Sequence, residues 1–182
     1  MEVQQSPFQA AIKPGLTIGL VSLAIIFLAY FVNSSLLASG WFGFVSLVIS
    51  AALVIYFGSQ YRNEQGGFMT FGTAFNFSFI SLVISALIGT IGMILLLLVV
   101  DPSLPQVLAD ITFQTALDTM EKFGASADSL PPEQLEEMRK ATLDSYTIIG
   151  QLKGLGFILI FYAIVALILG AILKKRDKSL DY

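Results

Sequence analysis

The chain contains no cysteine and no histidine. The first absence excludes disulfides and thiolate chemistry, and it leaves the redox compartment undetermined. The second removes imidazole acid–base catalysis and, with the first, nearly every zinc site. Charge is scarce as well. Asp, Glu, Lys and Arg make up 13% of the 182 residues, about half the ~25% of an ordinary soluble domain. So few charges cannot cover a water-facing surface while the 55% of hydrophobic residues stay inside. The mean hydropathy of +0.80 points the same way: the solvent for most of this chain is lipid. A formal net charge of −3 offers no basic patch for nucleic acid.

What the chain does have is long apolar runs. A hydrocarbon core about 30 Å thick needs roughly 20 apolar residues as helix. Four stretches approach this, at about 15–32, 37–57, 71–100 and 155–173, and none contains Asp, Glu, Lys or Arg. The third is too long to stand upright, so it must tilt or protrude. The first could pass for a signal peptide, with Ala38-Ser39-Gly40 as a cleavage site. Its apolar core exceeds the usual ~7–15 residues, however, and it reads better as a retained span. The expected fold is all-α: an integral membrane four-helix bundle.

Lys and Arg near the span ends set orientation. Lys13, Arg62 and the tail Lys174, Lys175, Arg176, Asp177, Lys178 share one side of a four-span chain, whereas the first connection, 33–40, carries no charge. Both termini are therefore expected in the cytoplasm, with 101–153 outside. Trp41 marks the outer interface and Tyr56, Tyr61 and Phe68 the inner one.

The polar segment 101–153 reads as an extracytoplasmic amphipathic helical hairpin. Helices are expected at about 104–123 and 132–152, joined by a turn from Gly124 to Pro131 that is rich in Gly, Ser, Asp and Pro. Glu133, Glu136 and Glu137 suit the first turns of the second helix. Met120 and Phe123 should meet Leu135 and Met138 across the turn, and the stripe from Leu104 to Ile111 should rest on the bundle mouth near Trp41. The acidity of the segment disfavours anionic lipid, since a membrane-surface helix wants Lys and Arg.

Small residues Ala74, Ser78, Ser81, Ser85, Gly89 and Gly92 recur every three or four positions in the third span. Such a seam lets helix backbones approach in lipid. Gly15 and Gly19 form a GxxxG pair in the first span, and Ala166 and Gly170 a similar pair in the fourth. These residues are expected to pack helices of the same chain. The likeness of FVSLVISA (44–51) to FISLVISA (79–86) is read as coincidence among Ser, Leu, Val and Ile, with no inverted-repeat transporter built on it.

Chemistry is harder to find. Proton relays and intramembrane catalysis need an ionisable group at depth, and no span carries an acid or a base. The outer carboxylates Asp101, Asp110, Asp118, Glu121 and Asp128 match no cation-loop spacing. No catalytic, metal or cofactor residue is assigned, and a non-enzyme is expected. Asn76, the most polar side chain in any span, is expected to hydrogen-bond a neighbouring helix.

The connection before the third span is more distinctive. It reads Gly66-Gly67-Phe68-Met69-Thr70-Phe71-Gly72-Thr73-Ala74-Phe75, and Thr70 can cap the helix that follows. This run, its place before the third of four spans, and the charged amphipathic insert before the fourth resemble a bacterial inner-membrane family catalogued as domain of unknown function 4199. The motif residues are Gly66, Gly67, Thr70, Phe71, Gly72, Ala74 and Phe75, and the resemblance covers essentially the whole chain. It implies the same architecture and no particular activity. Two functions remain open. One is a non-enzymatic membrane module that binds or stabilises another envelope protein. The other is a small channel or carrier for a neutral or apolar solute. Oligomeric state is undetermined.

Overall fold

The computed structural model describes residues 5–124 and 130–176. The expected turn of the insert falls largely on 125–129, and Asp177 and Lys178 of the basic tail on 177–182; both lie outside the described residues. The elements are α1 (Pro7–Asn33), α2 (Gly40–Glu64), α3 (Phe71–Leu95), α4 (Leu104–Lys122), α5 (Pro132–Ser145) and α6 (Ile148–Leu173). A 3-10 turn, Ser34–Ala38, prolongs α1, and a π turn, Leu96–Val100, prolongs α3. Four helical stretches are long and apolar enough to cross a membrane: Pro7–Ala38, Gly40–Glu64, Phe71–Val100 and Ile148–Leu173. They form a four-helix bundle. Among the described residues no strand occurs, only an isolated antiparallel bridge between Met69 and Lys175.

Local chemistry explains the ends. Ser6 and Gln9 make a reciprocal capping box for α1, with Pro7 in the first turn, where its missing N–H is no loss. Asn33 then accepts the Ser35 N–H at 3.0 Å and starts the 3-10 turn. At the far end of α3 the Asp101 N–H donates to the Leu96 carbonyl at 2.9 Å, an i to i+5 bond that widens the last turn. The widened turn buries both Leu96 and Leu97 while Leu98, Val99 and Val100 stay exposed. The third apolar run is thus used up by a changed helix type as it leaves the bundle.

Two apolar clusters divide the molecule. The larger lies where α1 begins, α2 ends, α3 begins and α6 ends, here called the clasp end. It includes Ala11, Ile18, Val54, Tyr61, Met69, Phe77, Leu82 and Leu173. The smaller lies at the opposite, insert end, where Leu104 and Leu108 of α4 pack with Leu96 and Leu97 against Phe27, Tyr30, Leu37 and Tyr146. The start of α4 therefore does sit on the bundle mouth, but not near Trp41. Trp41 is 71% exposed and stacks on Phe44 of its own helix, because α4 rests on the 3-10 turn instead.

The insert departs from expectation in two further ways. Its second helix does not run on to 152. It stops at Ser145, and Thr147 begins α6 by accepting the Gly150 N–H at 3.1 Å. A Cβ on Gly150 would meet the Asp144 carbonyl and the Ser145 backbone, so this corner requires glycine. Phe123 also fails to pack across the turn. It caps α4 and is 86% exposed. The helices meet instead further from the turn, where Arg139 pairs with Asp110 at 3.0 Å and the Tyr146 and Thr112 hydroxyls lie 2.8 Å apart. Met120, Leu135 and Met138 are half-buried.

Candidate functional site: a hydroxyl-lined cleft between the spans

Close packing along α1 and α3, and at the clasp end of α6, comes from glycines that receive larger neighbours. A Cβ on Gly15 would lie 2.8 Å from Ile84 Cβ, and one on Gly19 would lie 2.9 Å from Ile88 Cβ, so the α1 pair is the groove into which α3 fits. On α6, Gly170 lies against the α3 backbone, with a Cβ there 3.2 Å from the Phe75 nitrogen. Along α3, Ser81 donates to the Ala11 carbonyl at 3.4 Å, and the Ser85 and Ser22 hydroxyls are 3.5 Å apart. Gly92 receives Leu23. Ser78 is fully buried, and its hydroxyl has no partner among the described residues.

Gly89 breaks this pattern. A Cβ there would meet nothing within 4 Å, so it packs no neighbouring helix. At about 100° per residue, Gly89 is turned roughly 80° from Ser81, whereas Ser85 and Gly92 stay within about 40° of it. That turn carries it off the α1 contact and toward α2 and α6. Asn76 is likewise exposed and makes no side-chain hydrogen bond among the described residues, rather than joining another helix.

The space beside Gly89 is a cleft of about 250 Å³ lined by all four spans. It exists because α2 and α6 diverge. The buried residues of α2 are Ser50, Val54, Gly58 and Tyr61, and those of α6 are Ala166, Leu169, Gly170 and Leu173. On the insert side of Ser50 in α2 and of Ala166 in α6, neither helix buries a residue. The lining carries Ser22, Ser46, Ser50, Ser85, Thr90, Gln151 and Tyr162 among apolar walls that include Ile26, Leu47, Met93 and Ile158. No acid or base charged at neutral pH is among them. One helical turn toward the clasp end the cleft is shut. Ile18, Val54, Leu82 and Ala166, one from each span, are all 0% exposed.

The family motif builds the clasp itself. Gly66 and Gly67 have φ of 85° and 88°, left-handed values that favour glycine, and they turn the chain back after α2. Met69 and Lys175 then exchange N–H···O bonds of 3.0 and 2.9 Å. Lys175 lies over the Phe68 ring at 5.9 Å, and Arg62 donates to the Leu173 carbonyl at 3.1 Å, an orphan acceptor at the end of α6. Thr70 caps α3 by accepting the Thr73 N–H at 3.2 Å. Ala74 is fully buried, Phe71 and Phe75 stack along α3 and face Gly170, and Gly72 is open to its surroundings. These residues close the bundle; none of them lines the cleft.

At the insert end, Asp101 accepts from the Ser103 hydroxyl at 2.6 Å and backbone at 3.1 Å, and from the Tyr30 hydroxyl at 3.2 Å. The Ser103 hydroxyl, chiefly, holds the Asp101 carboxyl below its ordinary pKa; partial burial works against it and Tyr30 adds to it.

The model of the family described as Protein of unknown function (DUF4199) matches residues 13–175. The chain belongs to this family. Its matched region takes in all four spans, the clasp and the insert. No curated protein and no solved structure matches the chain.

Sequence reasoning singled out the clasp motif and the α1 glycines but missed the cleft. Its polar groups are spread over four spans, one or two at a time. The Ser46–Ser50 pair and Tyr162, polar groups at depth in otherwise apolar runs, were the available signal.

Proposed function

We propose that this is a non-enzymatic multi-pass module of the bacterial cytoplasmic membrane. Both termini face the cytoplasm, and the α4–α5 insert is an extracytoplasmic hairpin that binds or stabilises another envelope protein. The observation that carries this reading is how the insert is mounted. Leu104 and Leu108 fix one side of α4 in the insert-end packing, whereas α5 has no buried residue. Between them lies a groove of about 680 Å³ lined by Glu133, Glu136, Glu137, Arg139 and Lys140, among others. A groove lined by so many charged side chains suits a protein surface better than lipid.

The orientation rests on charge. Lys13, Arg62, Lys174 and Lys175 gather at the clasp end, and a cluster of cations favours the cytoplasmic face. Single cysteines are clean probes in a chain that has none. Gln114→Cys should react with an impermeant thiol reagent from outside and Arg176→Cys only from inside. Labelling of both from one side removes the topology.

The partner reading is tested by purification in mild detergent. The wild-type chain should retain a stoichiometric envelope protein, and Glu133→Lys with Glu136→Lys and Glu137→Lys should lose it while eluting as before. Equal retention by both would reject the groove as the contact. The channel reading loses support from the layer of Ile18, Val54, Leu82 and Ala166, which leaves no path from the cleft to the clasp end.

A further inference from the structure

We infer that the cleft is a binding site for the head group of an uncharged glycerolipid, entered sideways from the bilayer. This stands independently of any partner at the insert. Four observations lead there. First, the floor is hydroxylic. The Ser22 and Ser85 hydroxyls sit 3.5 Å apart, at the limit of a hydrogen bond, and Ser50 and Tyr162 line the same space. Each hydroxyl offers one donor and two acceptors, so the floor complements a group that also has both, such as a glycerol hydroxyl beside an ester.

Second, nothing in the lining carries a charge at neutral pH. A phosphate or ammonium placed there would lose its hydration without a counter-charge, which is costly at membrane depth. Phospholipid heads are therefore disfavoured. Third, the volume of about 250 Å³ lies just below the about 300–1,000 Å³ of pockets that take a whole drug-sized ligand. It holds a head group and not a whole lipid, and the acyl chain must remain outside.

Fourth, the opening faces lipid. No residue of α2 before Ser50 and none of α6 before Ala166 is buried, and Gly43, at the rim, has nothing within 4 Å of an added Cβ. On the other side α4 covers the mouth by seating Leu104 and Leu108 against Phe27, Tyr30 and Leu37. The gap between α2 and α6 is thus the route in, and it is flanked by apolar groups exposed to the membrane, Phe44 and Phe157. A free polyol arriving from water would find no such advantage.

The probe is 1-monooleoylglycerol, titrated into the full chain in detergent and followed by native mass spectrometry. Wild-type protein should bind one molecule saturably, with phosphatidylglycerol and free glycerol as poor competitors. Gly89→Leu, which fills the cleft without meeting a neighbour at its Cβ, should abolish binding. Ser50→Val should weaken it by about tenfold, the loss expected for one hydrogen bond. Ser46→Val, at a half-buried position, provides the same reading should either of the others fail to elute as monodisperse protein. Ser35→Val, on the exposed 3-10 turn, should bind as wild type. Absence of saturable binding, unchanged binding in the cleft variants, or equal competition by phosphatidylglycerol or by free glycerol would each overturn the assignment.

Discussion

At the clasp end every span contributes fully buried residues, whereas at the insert end α2 and α6 contribute none. The composition of the two halves is similar, since both are Leu-, Ile- and Phe-rich. The difference lies in how small residues meet large ones. Lipid tails are as apolar as the side chains, so burial alone does not drive helices together and interlocking does. On α2 and α6, Gly58 and Gly170 toward the clasp each have a partner in the space of the missing side chain, whereas Gly40, Gly43, Gly154 and Gly156 toward the insert have none; on α3, Gly92 still receives Leu23 of α1, while Gly89, turned toward the cleft, meets nothing. Glycine alone therefore does not close a bundle. Where complementary residues are missing the helices part, and polar groups along them become the lining of a cleft.

The comparison can be broken most easily through the clasp core. Phe77 is fully buried and stacks on Tyr61 with ring centroids 5.3 Å apart. Phe77→Ala should cost about 3–5 kcal/mol, the range for large-to-small core changes, read as lowered thermal stability in detergent. Phe44→Ala, on the splayed half of α2, removes a side chain that is 54% exposed and should shift the same measurement little. Comparable losses would mean the two halves are equally packed.

A second contrast uses glycine. Gly170→Leu drives a side chain against the α3 backbone at Phe75 and should destabilise by about 1–3 kcal/mol or more. Gly89→Leu should leave the transition almost unmoved. If Gly89→Leu is the more damaging of the two, the cleft is not open in the folded protein.

Much of this was legible in the sequence, for identifiable reasons. The spans followed from composition and length. Thr70 is legible as the cap of α3, whereas the turn that Gly66 and Gly67 make shows in the sequence only as a glycine pair between two spans. Of the points that escaped, three have a clear physical reason. The break at Tyr146–Thr147 was hidden by an apolar pattern that runs through it, although Thr147 three residues before Gly150 was a capping signal. Gly89 matched the seam's spacing, but whether a seam residue meets a helix depends on where α2 and α6 lie, which no local pattern contains. The cleft hydroxyls come together only when four spans are assembled.

A third test concerns pH at the insert end. The Asp101 carboxyl is held below its ordinary pKa, so its contribution to stability is complete above the normal carboxylate range and is lost as pH falls through the folded-state value. Asp101→Asn should therefore be less stable than wild type at pH 7, and the gap should close on acidification below about pH 4. Thermal melts of both proteins across that range check it; a gap that is constant with pH would show that the carboxylate charge does not matter.

The smallest effect belongs to the insert surface. Arg139 and Asp110 are 58% and 49% exposed, and exposed pairs contribute about 0–1 kcal/mol. Replacing Arg139 by Met should change stability by no more than that, and raising salt should change it no further.

Disulfide trapping tests the central asymmetry most directly, in a chain with no cysteine of its own. Met69→Cys with Lys175→Cys places two thiols on the antiparallel bridge of the clasp, where both N–H···O bonds are made; such pairs hold their Cα atoms about 5.5 Å apart, within disulfide reach. Gly43→Cys with Ile158→Cys places them on α2 and α6 around the cleft. Under mild oxidation in bilayers the first pair should cross-link rapidly and the second should remain reduced, joining only through a longer bifunctional reagent. Equally rapid disulfide formation at both pairs would mean the insert-end half is closed, contrary to this account.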